Sequence, residues 1–186
     1  MKRLASTQVP NAGQQPSAAT PADSRREFMN SVHEFEEDRL VQLRFKPLWL
    51  YVDAVREFCG FFARTSFKDD ELGQRVGLVV HELIENAVKY GDEKELELRI
   101  ERVPGSVVIR VANTTTDDRA RKLREIFDQL SSVAPADAYT RALQRAATLP
   151  DHESGLGLPR IQYEGQVALQ LETTPGRVVI TARGVA

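Results

Sequence analysis

The stretch from Asp69 to Gly91 constrains this chain more than any other. Val76, Val80, Leu83, Ala87 and Tyr90 recur at helical spacing and form one apolar seam. Asp69 and Asp70 put acid at the start of that helix, where its dipole favours negative charge, and Gly91 supplies the stop. The last turns carry a second pattern beside the seam: His81-Glu82-Leu83-Ile84-Glu85-Asn86-Ala87-Val88-Lys89-Tyr90. Glu82 and Asn86 are four apart, so they project from one side, and Lys89 lies one turn further on. An amide oxygen can hold a divalent cation, a carboxylate can take a proton, and an ammonium can meet a phosphate.

The elements around this helix predict the fold class. Val41, Leu43 and Phe45 alternate with Leu40, Gln42 and Arg44, the pattern of a strand with one buried face. Pro47 reads as the first position of a helix running to about Thr65, with Leu50, Ala54, Phe58, Phe61 and Phe62 as its apolar spacing. Leu96, Leu98 and Ile100, then Val107, Ile109 and Val111, make two strands joined at Pro104-Gly105. Two helical segments follow, about 118–130 and 136–147, and two last strands, about 167–172 and 177–182, meet at Thr174-Pro175-Gly176. The order β-α-α-β-β-(αα)-α-β-β predicts an α+β chain: a two-layer α/β sandwich with a mixed, mainly antiparallel sheet and helices on one face.

A second motif lies downstream, Gly155-Leu156-Gly157-Leu158, ahead of a short helical turn. Glycines let a backbone approach a polyphosphate and adopt φ > 0. The following helix offers unpaired N–H groups and a positive dipole end, worth roughly 0.3–1 kcal/mol per favourable charge. A lone Gly-x-Gly is more often a turn; its place after the 82–90 pattern is what gives it weight.

In that order, the two motifs resemble the N-box and second glycine box of the Bergerat (GHKL) ATP-binding domains. The resemblance covers about residues 39–184. It implies that Asn86 ligands Mg²⁺, that Glu82 acts as base or orients the nucleophile, and that Lys89 with Gly155, Leu156, Gly157 and Leu158 holds the phosphates of ATP. The front of the domain resembles the anti-sigma-factor serine/threonine kinases, which phosphorylate small STAS-domain partners. The helical insertion at about 117–150 resembles the divergent SiaB-like regulators. The family's first glycine box is broken here. Asn113 stands where the adenine-reading Asp is expected, followed by Thr114, Thr115 and Thr116, and Glu153 replaces a glycine of the second box. Asn for Asp weakens adenine recognition by about 1 kcal/mol, since a hydrogen bond to a charged acceptor is the stronger kind. Threonines resist φ > 0, so the lid takes another path, with the insertion in its place. Asn113 reads equally as a turn residue bonding its own backbone.

The expected function is therefore an ATP–Mg-binding regulatory switch, a serine/threonine kinase acting on a STAS-like partner. The alternative is a non-catalytic partner-switching module with weak nucleotide binding or none. A sensor histidine kinase is disfavoured because His33-Glu34 lies too near the domain for a dimerising hairpin. Gyrase-type ATPases call for a transducer domain beyond residue 186. His81 and His152 read as ordinary histidines.

Composition sets the remaining bounds. With 186 residues the chain suits one domain plus a tail. Residues 1–24, rich in Ser, Thr, Gln, Pro and Ala, read as a disordered tail, and 25–38 as a helical extension; a homodimer is left open. A net charge of −2 gives no signal for nucleic acid or an anionic membrane surface. No apolar run suits a membrane span and no secretory signal is visible, so a cytoplasmic location is expected. Cys59 is the one cysteine, which excludes an internal disulfide; its phenylalanine neighbours suggest a buried thiol.

Overall fold

The computed structural model describes residues 41–92, 94–148 and 155–185. The expectations for 1–24, 25–38, His33, His152 and Glu153 lie outside these residues. The elements run β1 (Val41–Phe45), α1 (Trp49–Phe67), α2 (Asp70–Tyr90), β2 (Leu96–Val103), β3 (Ser106–Thr114), α3 (Asp117–Ser131), α4 (Pro135–Ala146), α5 (Gly157–Tyr163), β4 (Val167–Thr174) and β5 (Arg177–Val185). This is the order that the sequence predicts. No helix among the described residues is long and apolar enough to cross a membrane.

The strands form one sheet in the order β1-β2-β3-β5-β4. Every neighbouring pair is antiparallel, so the sheet sits at the antiparallel end of the expected mixture. Period-two alternation sorts its side chains. Leu96, Leu98 and Ile100 register against Asn113, Val111 and Ile109, and these against Val178, Ile180 and Ala182. That face carries the core beneath the helices. The opposite face is mostly polar, with Gln42, Arg44, Glu97, Arg99, Arg110, Thr181 and Arg183 around the buried Val108 and Ala112. The result is a two-layer α/β sandwich.

α2 forms the spine of the helical layer. Asp69 caps it, accepting from the Leu72 amide at 2.9 Å. Val76, Val80, Leu83 and Ala87 are buried as the seam requires, while Tyr90 is 39% exposed and turns toward a cleft. Gly91 ends the helix with φ −80°, so it is not a left-handed cap. Its missing Cβ is what counts, for one there would lie 2.4 Å from the Ala87 carbonyl oxygen.

α1 departs from expectation in two ways. Pro47 lies ahead of the helix rather than at its first position; Leu48 is the cap and α1 begins at Trp49. The buried residues are Val52, Cys59 and Ala63; of the expected series only Phe62 packs against the core, and that in part. Leu50 (79% exposed), Phe58 and Phe61 point outward. Both series have helical spacing, so periodicity could not choose between them. The close approach of α1 to α2 decides it. A Cβ at Gly73 would lie 2.6 Å from the Arg64 Cβ and 2.9 Å from the Gly60 carbonyl oxygen, so the backbones meet where side chains are smallest. Cys59 is fully buried, and burial pushes its thiol pKa up to about 12, leaving it inert.

The threonine run has a structural purpose. The Thr114 hydroxyl bonds Asp92, the Thr115 hydroxyl donates to the Tyr90 carbonyl at 2.8 Å, and Thr116 caps α3 through the Arg119 amide. α3 then drives Ala120, Leu123, Phe127 and Leu130 into the core. The insertion is thus two helices over its described length, α3 packed against β4 and α4 against α5.

Candidate nucleotide site

The polar face of the last turns of α2 opens onto a cleft of about 300 Å³. Glu82, Asn86 and Lys89 line one side, and the loop Gly155–Leu158 lines the other. Seven of the eight residues singled out in the sequence therefore meet in one place, across seventy residues of chain. The contact is tight. A Cβ at Gly157 would lie 2.6 Å from Glu82 Oε2 and 3.6 Å from Asn86 Nδ2, so a larger residue there would have to push the Glu82 carboxylate aside. Gly155 is needed for a different reason: its φ of +62° is left-handed, and nothing crowds it. Leu158 sends its side chain into the core, which pins the loop and leaves its backbone at the cleft.

Each polar group there has its own electrostatic state. Glu82 is 6% exposed. Burial is the main cause pushing its pKa up, and the neighbouring charge of Glu85 adds to it. Arg160 and His81 pull the other way without cancelling the rise. Arg160 reaches from α5, its Nη1 donating to Glu82 Oε1 at 3.3 Å. Its Nε donates to Glu164 at 2.8 Å, and the Tyr139 hydroxyl donates to the same carboxylate. Tyr139 and Tyr163 stack with centroids 5.0 Å apart. A continuous polar chain thus runs from Glu82 through Arg160 and Glu164 to α4 of the insertion.

Asn86 differs. Its Nδ2 is buried and has no hydrogen-bond partner. A buried N–H donor left unpaired costs about 1–3 kcal/mol, and the partner that this one lacks is a hydrogen-bond acceptor. Lys89 Nζ pairs with Glu85 at 3.3 Å and lies over the Trp49 ring at 5.8 Å. It is a cation held at the cleft wall by weak partners.

Asn113 is not brought to the cleft. It is buried at the end of β3, where its Nδ2 donates to the Thr114 carbonyl at 3.0 Å, as in the turn-type reading. Around it the polar groups bond one another: Thr114 to Asp92, Thr115 to Tyr90, and Arg119 to the Gly91 carbonyl. Sequence reasoning missed Arg160 and Glu85. The signal for Arg160 was available: it follows the glycine loop directly and stands four residues before Glu164, the spacing of a helical ion pair.

Among the described residues no cluster of three or more acidic, histidine or cysteine side chains could hold a metal ion. A cation in this cleft would take Asn86 as its protein ligand and phosphate oxygens and water for the rest. The unpaired Asn86 Nδ2 is a donor and fits a phosphate oxygen beside the ion, while the side-chain Oδ1 is the atom that would hold the cation.

No protein-family model and no curated protein sequence matches this chain. Among solved structures it is similar to a chain of the SiaB–SiaC complex from Pseudomonas aeruginosa, with TM-score 0.60 and 16% identity, over 86% of this chain and 97% of that one. At that identity the likeness is one of fold. A further match, to the Acinetobacter baumannii histidine kinase AdeS, has TM-score 0.39 and 14% identity over 88% of this chain and 77% of that one, too low a score to bear on the argument.

Proposed function

We propose that this chain binds ATP with Mg²⁺ in the α2 cleft and acts as a regulatory switch, transferring the γ-phosphate to a serine or threonine of a small STAS-like partner. The observation that carries the reading is the contact of Gly157 with both Glu82 and Asn86, beside an Asn86 amide that has no partner of its own. That the similar fold comes from a two-protein complex is in keeping with a partner-binding role.

The residues divide the work. Asn86 would ligand Mg²⁺, which when bound offsets the triphosphate charge and makes the γ-phosphorus the easier target. Lys89 would leave Glu85 for the phosphates, alongside the backbone of Gly155, Leu156, Gly157 and Leu158. Glu82 would take the proton of the attacking hydroxyl. The new P–O bond forms as the bond to the bridging oxygen breaks, and ADP carries away the electron pair. A raised Glu82 pKa brings its basicity nearer to neutral pH, which suits proton transfer. Arg160 bonds only Oε1 of Glu82, which leaves Oε2, beside Gly157, as the oxygen to take the proton.

That same ion pair favours the second reading, a non-catalytic partner-switching module in which the Glu82–Arg160 link is permanent. Isothermal titration with ATP and Mg²⁺ separates the first question. Wild-type heat that is lost in Asn86→Ala supports nucleotide binding; negligible heat from both proteins sinks it. Transfer of labelled phosphate to a co-encoded STAS-like protein, lost in Glu82→Gln, then distinguishes kinase from module.

A further inference from the structure

We infer that the base and ribose of the nucleotide sit not at the end of β3 but in the space between α3 and α4, a nucleoside seat built by the insertion. The inference rests on the nucleotide reading and adds to it where the ligand lies.

Three routes lead away from the phosphate-bearing part of the cleft. The first runs toward Asn113 and is shut. Thr115 and Arg119 close on the carbonyls of Tyr90 and Gly91, and Leu123 and Phe127 of α3 fill the core beside them. Asn113 lines neither cavity. The second passes His81 and Arg160 into a groove of about 440 Å³ between α1 and α2. Its walls are Asp53, Arg56, Glu57, Arg64 and Asp70 around the backbone of Gly60, Gly73 and Gly77. Leu78 is its one large apolar wall and it has no tyrosine, tryptophan or phenylalanine face, so it offers a base less to lie against than the third route.

The third route is open. A cavity of about 820 Å³ shares Tyr90, Ile126 and Gly155 with the cleft, so the two adjoin. Leu130, Val133, Ala138 and Pro159 give it apolar walls, and Gln129 and Gln144 add amides able to meet a base edge. Tyr90 stands at the junction and is 39% exposed, an aromatic face where a base can stack. Base–aromatic stacking is worth about 1–3 kcal/mol, enough to offset a missing carboxylate contact. The smaller cleft is of a size for a triphosphate and its cation; ligand pockets for whole small molecules run about 300–1,000 Å³, which the pair together supplies. Loss of the first glycine box and gain of the insertion then have one cause: α3 occupies the old path and, with α4, makes a new one.

The test compares Mg–ATP with Mg–tripolyphosphate by titration calorimetry on the full chain. Val133→Trp and the exposed Gln129→Trp each fill the seat, and melting curves verify their fold. Both are expected to weaken ATP at least tenfold and leave tripolyphosphate unchanged, while Asn113→Ala alters neither. Photolabelling of the wild-type chain with 8-azido-ATP is expected to mark peptides within 126–145, with protection by tripolyphosphate. Label on 113–119, or an ATP advantage erased only by Asn113→Ala, overturns the seat and leaves nucleotide binding standing. No heat from either ligand with the wild-type chain overturns both.

Discussion

Glu82 and Glu97 are almost equally hidden from solvent, 6% and 7% exposed, yet Glu82 is the more deeply embedded and they are opposite kinds of carboxylate. Glu97 lies on the outer face of the sheet. Gln42 Nε2 donates to it at 3.0 Å, Arg99 Nε at 2.6 Å, Arg44 Nη2 at 3.4 Å and Arg177 Nη2 at 3.3 Å. Burial pushes its pKa up, but the hydrogen bond and charge of Arg99, with Arg44, outweigh that and hold it below the ordinary carboxylate value. Glu82 lies on the helical side with a single guanidinium, an acidic neighbour in Glu85, and a pKa held above the ordinary value. One carboxylate is saturated and ties three strands together. The other is under-partnered and faces a cleft. The lesson is that low exposure alone does not mark a site; deep burial with donors withheld does.

Changing each residue should break different properties. The largest effect expected is on Glu82→Gln, which should lower phosphotransfer by about 10²–10⁴, the usual loss on removing a general base, with stability held within about 1 kcal/mol because an isosteric amide replaces a strained charge. Glu97→Ala should do the reverse. It should cost about 1–3 kcal/mol of stability, in keeping with the loss of charge-assisted hydrogen bonds, with ATP affinity unchanged; a urea titration reads the first and calorimetry the second. Gly157→Ala comes next. Its new methyl must displace the Glu82 carboxylate, and nucleotide affinity should fall about tenfold, or about 1.4 kcal/mol, with a small change in melting temperature.

The pH dependence should be the subtlest difference. Glu97 has a lowered pKa in the folded chain, so its stabilisation is full above the ordinary carboxylate range and is lost as pH falls through the folded value. Glu82 has a raised one, so its contribution is full below the ordinary range and is lost as pH rises through the folded value. Urea midpoints followed from acidic to neutral pH should therefore flatten on the acid side in Glu97→Gln and on the alkaline side in Glu82→Gln. The same flattening in both variants would show the two carboxylates to be alike.

The sequence carried the spine of this fold and half of its cleft. α2 was legible because one seam, one cap and one stop agree, and its polar face could be read from the spacing of Glu82, Asn86 and Lys89. The hairpins were legible because Gly105 and Gly176, both at positive φ, sit between alternating runs. α1 was misread because it bears apolar residues on two faces, and only the glycine contacts of α2 say which is inside. Arg160 was missed because its partner Glu82 is seventy-eight residues away and the sequence shows only the local pair with Glu164. The position of Asn113 depended on where α3 folds back, a tertiary event that no local pattern records.

The most direct test of the central claim is the effect of Mn²⁺–ATP, standing in for Mg²⁺–ATP, on the side-chain amide and backbone resonances of the isotope-labelled chain. The account predicts that paramagnetic broadening begins at the Asn86 amide and the Gly155–Gly157 backbone, with Asn113 and the Arg99–Arg177 face of the sheet left sharp. Broadening centred on that outer face, or none at Asn86 at saturating nucleotide, would contradict it.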